Sequence, residues 1–158
     1  MVENQIPILG VIFVPVSGDL FFSEINVGSF KINLARFSFD PETLLENANE
    51  LPIYSDNQIY TIVASRSHMS KETEQFISEK RKEHGAVNLI SSGSSLKLCM
   101  VAEGKANCYP RYAPTMEWDT AAGHAICLYA GFSVKDYITK KPMRYNRENL
   151  LNNWFIVE

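Results

Sequence analysis

The sequence is short of basic charge. Its 158 residues hold 15 lysines and arginines against 18 acids, a net −3. No overall positive field results, and a general nucleic-acid-binding role is disfavoured. Cysteine is scarce as well. Cys99, Cys108 and Cys127 are odd in number and show no C-x-x-C spacing. That argues against a disulfide framework or a zinc site, and for reduced thiols in a cytoplasm. The opening Met1-Val2-Glu3-Asn4-Gln5 has no basic segment of the signal-peptide kind. No apolar run reaches membrane-spanning length. Internal repeats and low-complexity tracts are missing too. What is present is an ordinary globular composition, 46% hydrophobic and 21% charged. A single domain of this size removes roughly two-thirds of its unfolded surface from water.

Residues 6 to 15 read as a strand. Ile6, Ile8, Ile12 and Val14 line one face, and Leu9, Val11 and Phe13 the other, so burial on both faces is expected. Ser17-Gly18-Asp19 is a turn signal, Leu20 to Ile25 a hairpin partner, and Ser29 to Leu34 a third strand. Asp40-Pro41-Glu42 reads as a helix start, and residues 53 to 58 as a linker. From Tyr60 on, strands and helices alternate. Tyr60 to Ala64 is a strand. Ser70 caps a helix from Lys71 to His84, which Gly85 stops. Ala86 to Ile90 is a strand, Leu96 to Glu103 a helix, Asn107 to Arg111 a strand. A helix that opens after Asp119, at Thr120, ends at Gly131. Phe132 to Ile138 and Asn153 to Val157 close the chain as strands. The reading is α/β, with an antiparallel portion over 1–58 and an α/β portion over 59–158, expected to form one unit.

Three stretches could carry chemistry. Ser91-Ser92-Gly93-Ser94-Ser95 turns from a strand into a helix whose first turn holds Lys97. A helix dipole disfavours a cation there, so Lys97 suggests an anionic ligand; the alternative is a capped helix with a surface lysine. Ser65-Arg66-Ser67-His68 leaves a strand end, a usual ligand position, although a loop histidine is commonly just solvated. Arg111 follows a buried strand and suits bidentate phosphate binding, or a surface ion pair. Asp119 stands where the next helix begins, able to cap it or to bind a metal. His124 is expected to pack, Glu117 to be exposed, and Lys140, Lys141, Arg144 and Arg147 to form a solvated edge.

Trp118-Asp119-Thr120-Ala121-Ala122-Gly123-His124-Ala125 resembles the second signature of the inositol monophosphatase family of magnesium-dependent phosphatases. The run from Tyr109 to Ile126, Gly93-Ser94-Ser95-Leu96-Lys97 and Ser65-Arg66-Ser67-His68 resemble the 3'(2'),5'-bisphosphate nucleotidase branch of that family. The resemblance implies a layered α-β-α-β-α sandwich, of which this chain would be the C-terminal part. It implies a cytoplasmic hydrolase, at most peripheral at the inner membrane face, that serves sulfate assimilation. Its substrate would be a small nucleotide bisphosphate: the 3'-phosphate of adenosine 3',5'-bisphosphate is removed to give AMP. His68, Ser94, Lys97, Arg111 and Asp119 would hold that substrate, and Asp119 would also bind Mg²⁺. An inositol or sugar monophosphatase is the alternative within the family. The first family signature, Asp-Pro-x-Asp-Gly-Thr, is not matched; Asp40-Pro41-Glu42-Thr43 lacks its second Asp and its Gly. This chain alone is therefore expected to be inactive, with further acids needed for the metal. A non-catalytic fragment that binds nucleotide or a partner is a third reading. An unpaired sheet edge would invite homo-oligomers.

Overall fold

Strand β1 (Val2–Glu3) turns into β2 (Ile6–Pro7) through Asn4 and Gln5, at φ 48° and 66°. The expected single strand from residue 6 to 15 is thus broken by this hairpin, and its main part is β3 (Leu9–Val14). β4 (Asp19–Glu24) and β5 (Gly28–Asn33) continue as an antiparallel meander, as the turn signals indicated. Helix α1 is one short turn, Leu44–Asn47, and β6 (Asn49–Glu50) pairs with β5. Asp40 and Pro41 do not open that helix. The Asp40 carboxylate accepts from the Glu42 N–H and the Thr43 hydroxyl, which makes a local turn ahead of it. The computed structural model describes residues 1–36, 39–53, 59–65 and 69–158. Most of the linker expected at 53–58 lies outside them.

The second portion follows the alternation read from the sequence. β7 (Tyr60–Ala64) and β8 (Val87–Ser91) are parallel, joined through α2 (Lys71–His84). The Ser70 hydroxyl accepts from the Thr73 N–H at 3.3 Å, and Gly85, at φ 77°, ends the helix. Then come α3 (Leu96–Ala102), β9 (Tyr109–Arg111), α4 (Glu117–Tyr129), β10 (Val134–Asp136) and β11 (Phe155–Val157). β11 lies between β10 and β9. The Val63 N–H donates to the Cys108 carbonyl at 2.9 Å and ties β7 to the segment entering β9, so the two small sheets are continuous.

The layers stack in order. α4 packs under β3, β4 and β5, and against α3; α3 sits on β7 and β9; α2 covers β8 and β9. Antiparallel sheet, helix pair, second sheet and α2 are four layers of the expected five. The core between them joins Phe21, Val63, Leu98, Val101, Ile126 and Phe155. Gly10 is where β3 meets α4: a side chain there would collide with the Ala122 carbonyl and lie 2.9 Å from Ala125 Cβ. The three thiols are free and buried.

The outer face of the first sheet departs from expectation. Val11 is 54% and Phe13 49% exposed. β3 is an edge strand, and only its Gly10-Ile12-Val14 side rests on α4. Burial on both faces fails because no layer among the described residues covers that side.

Candidate functional site

β7, the turn before α3, β9 and the N-terminus of α4 converge on a cleft of about 370 Å³, lined by Ser65, Ser94, Lys97, Tyr109, Arg111 and Asp119. Four of the five site residues read from the sequence meet there. The fifth, His68, lies outside the described residues with Arg66 and Ser67; Ser65 is at the cleft wall.

Lys97 is not a surface lysine. It is 4% exposed, because α3 turns it inward beside Tyr109, whose ring centre is 5.3 Å from Nζ. Its ammonium donates to the carbonyls of Ser94, at 2.9 Å, and Ser92, at 3.3 Å. Ser94 is held at φ 49°, a backbone state uncommon outside glycine and asparagine. Burial pulls the Lys97 pKa below 10.5, and the Arg111 charge adds to that. Arg111 is half-buried. One Nη donates to the Pro114 carbonyl at 3.2 Å, while the buried Nε has no partner among the described residues. Neither cation has a carboxylate within ion-pair distance among the described residues. Two cations, one buried and one half-buried, that share a cleft with no carboxylate in ion-pair reach of either could receive an anion.

Asp119 is the third residue of α4 rather than its cap, since the helix starts at Glu117. Its Oδ2 accepts from the Met116 N–H at 2.8 Å and closes the first turn. The side chain is exposed at the cleft. Behind it runs a buried polar network that sequence reasoning missed. Glu117, expected to be exposed, is buried; it accepts from the Asn146 N–H at 2.7 Å and from Arg147 Nε at 2.8 Å. Arg147 is consequently no part of a solvated edge, unlike Lys140, Lys141 and Arg144. It also donates to Asn152 Oδ1 at 2.9 Å. The Asn152 amide reaches Thr115 Oγ1, the Met116 carbonyl and Thr120 Oγ1 at 3.1, 2.9 and 3.0 Å. The loop at the head of α4 is thereby tied to the segment 146–152.

His124 packs as expected, and it has a partner: Nδ1 lies 3.0 Å from the Tyr145 hydroxyl. Burial, with a smaller effect of the Arg144 charge, pushes its pKa from 6.5 down to about 4. The folded protein thus binds a proton less readily than the unfolded chain. The stability that neutral His124 contributes is complete above pH 6.5 and is lost as pH falls through about 4. Urea unfolding between pH 7 and 4 is expected to show a loss on the order of 3 kcal/mol. His124→Gln should flatten most of that slope; an unchanged slope would exclude His124 as its source.

With the cleft and its helix in place, comparison with known proteins decides the family. The family model for inositol monophosphatases matches residues 1–154. The chain belongs to the inositol monophosphatase family. The crystal structure of CysQ from Bacteroides thetaiotaomicron, a bacterial member of that family, is 48% identical with a TM-score of 0.92; the match covers 99% of this chain and 59% of that one. The 3'(2'),5'-bisphosphate nucleotidase CysQ of Shigella flexneri is 35% identical over 158 residues, 99% of this chain and 57% of that protein. Staphylococcal IMPase-II, 15% identical at a TM-score of 0.70, shows the shared fold alone. This inositol monophosphatase-family chain spans under three-fifths of the length of those CysQ relatives.

The family implies magnesium, and the described residues do not compose a site for it. A hard dication takes several oxygen ligands. The cleft offers the carboxylate of Asp119, one oxygen of which is already engaged by Met116. No group of three or more His, Cys, Asp or Glu side chains comes together among the described residues. What the described residues bring together in the cleft is two cations and one carboxylate.

Proposed function

We propose that the cleft holds a nucleotide carrying two phosphates, of the adenosine 3',5'-bisphosphate type. In a complete phosphatase this chain supplies the substrate-holding wall from which the 3'-phosphate is removed to give AMP. The observation that carries the reading is the pair Lys97 and Arg111, two cations in one cleft that, among the described residues, have no carboxylate in ion-pair reach and leave one buried guanidinium N–H without a partner. Two phosphates use both cations, whereas an inositol monophosphate leaves one idle. The nucleotidase names of the CysQ relatives agree with this choice. Ser94 and His68 complete the substrate contacts. Asp119 contributes one ligand to a Mg²⁺ whose remaining ligands lie outside the described residues. Buried reduced thiols suit a cytoplasmic setting, and no helix among the described residues is long and apolar enough to cross a membrane.

Calorimetric titration of the purified chain with adenosine 3',5'-bisphosphate, AMP and inositol monophosphate tests the reading. The bisphosphate is expected to bind at least about tenfold more tightly than either monophosphate, about 1.4 kcal/mol. Equal affinities would overturn it. In a phosphate-release assay the chain alone is expected to be silent with and without magnesium. Magnesium-dependent release would show that acids set aside here complete the metal site. In a full-length relative, Asp119→Asn is expected to abolish turnover; a rate within about tenfold of wild type would remove Asp119 from the metal ligands.

A further inference from the structure

The second sheet ends in an edge strand without charge. Among the described residues β8 has a strand neighbour on one side only, β7. Between His84 and Lys97 the chain holds no lysine, arginine or acid, so no side chain of this edge discourages pairing. The direction of its backbone groups follows from β7. The Thr61 carbonyl accepts from the Asn107 N–H, and the Val63 N–H donates to the Cys108 carbonyl. Ile62, between them, therefore bonds toward β8. It stands opposite Leu89, and in a parallel pair its bonds go to the residues on either side, Asn88 and Ile90. The N–H and C=O groups of Val87, Leu89 and Ser91 then point outward. Ile90 packs against the core cluster of Val63 and Leu98, so Leu89, 39% exposed, stands on the other face, that of α2.

α2 continues the same surface. Thr73 and Ile77 are buried, and Phe76 meets the Tyr112 ring edge-on, on the side of β9. At about 100° per residue, Glu74, Ser78 and Arg81 form the opposite stripe, beside the edge of β8. All three are exposed, and neither Glu74 nor Arg81 has an ion-pair partner among the described residues. Tyr60 fixes the level of helix against strand. Its ring stacks on His84 at 4.0 Å, and Lys80 Nζ lies 5.9 Å from its centre. Tyr60 pairs with Val87, so Val87 is level with the last turn of α2. Leu89 lies two residues further along, about 7 Å, the rise of roughly four helical residues. That brings Leu89 level with Ser78.

One two-fold axis through Leu89 satisfies both elements. An antiparallel copy of β8 pairs Leu89 with Leu89 and Val87 with Ser91, each through outward N–H and C=O groups. The same axis runs two α2 helices antiparallel past Ser78 and sets Glu74 of each copy against Arg81 of the other. We propose that a second copy of this chain docks on β8, joining two second sheets across Leu89, with Glu74–Arg81 ion pairs closing the helices. Register and charge are self-complementary about one point, which is what an isologous interface requires. The contact owes nothing to the proposed substrate, and mass and amide protection report it without any nucleotide.

Sedimentation equilibrium of the purified chain is expected to show a monomer–dimer equilibrium, with hydrogen exchange at Val87 and Leu89 slowing as concentration rises. Glu74→Arg sets arginine against arginine, and Arg81→Glu sets acid against acid. Each should raise the dimer dissociation constant at least about tenfold. The two changes on one chain restore both cross pairs and should restore the dimer. Mixing the two single variants should give a heterodimer. Both side chains are exposed, so the melts of dilute protein should stay near wild type. Leu89→Lys, which sets two ammonium groups at the axis, should abolish the dimer independently of α2. A wild-type chain that stays monomeric at high concentration overturns the proposal. So does a dimer indifferent to the charge reversals and to Leu89→Lys, or one that protects Val11 and Phe13 instead, since the contact then lies on the first sheet.

Discussion

Glu117→Ala is expected to cost about 3–5 kcal/mol of unfolding free energy, the usual penalty for breaking a buried ion pair from one side. The Glu117 side chain is 9% exposed and that of Arg147 29%. Removing the carboxylate leaves the Arg147 guanidinium without its only carboxylate partner among the described residues and strips the acceptor from the Asn146 N–H, which bonds at 2.7 Å. Arg147→Ala should cost less, because Glu117 keeps the backbone N–H groups of residues 146 and 147. Glu117→Gln should fall between, since an amide retains one acceptor and loses the charge. Urea unfolding of the three variants gives the order. A loss below about 1 kcal/mol for Glu117→Ala would mean that the pair is solvated and worth no more than a surface salt bridge. The effect extends to the cleft. Arg147 also holds Asn152, and Asn152 holds Thr115, Met116 and Thr120, so relaxing the network loosens the turn that aims Asp119.

Local signals made the second half of the chain legible. Ser70, Gly85 and the charge order along α2 are short-range determinants, and Lys71–His84 forms as they indicate. The turn at Gly18 likewise sets the β3-β4 hairpin of the meander. Period-two patterning could not tell a strand between two layers from an edge strand with one, so the burial of β3 was misjudged. Its neighbours, not its own residues, decide that. Asp40-Pro41 carried a strong helix-start signal, yet the Asp40 carboxylate bonds Thr43 and Glu42 and the helix begins one turn later. At the site, the turn at Ser94 and Arg111 at the end of β9 were readable from spacing and family resemblance. Glu117 was not. Its partners lie about thirty residues on, in a segment without regular structure, and no local pattern connects an acid before a tryptophan to an arginine that looked like part of a basic run. His124 was readable as packing, but the hydroxyl that satisfies it, on Tyr145, depends on the same long-range closure.

Lys97→Met is expected to leave the fold as stable as wild type, or up to about 1 kcal/mol more stable, while weakening adenosine 3',5'-bisphosphate binding at least about 100-fold, or about 2.7 kcal/mol. The two halves of this expectation have one cause. A lysine at 4% exposure has given up its water for two carbonyls and an aromatic ring, with no acid in return. Methionine fills a similar volume without that desolvation. The carbonyls of Ser92 and Ser94 it abandons belong to a partly exposed turn that water can reach. The sign follows from titration. Burial sets the folded pKa of Lys97 below its unfolded value of 10.5, so the charged side chain opposes folding at neutral pH. Any stability advantage of the methionine variant must therefore shrink as pH climbs toward 10.5. A bound phosphate reverses the balance, since it provides the counter-charge that the fold withholds. Thermal melts and calorimetry on the same two proteins decide the matter. A variant that melts well below wild type and binds with unchanged affinity would make Lys97 a structural staple of the Ser94 turn. A variant that is stable and blind to the bisphosphate would show a cation kept, against the interest of the fold, for its ligand.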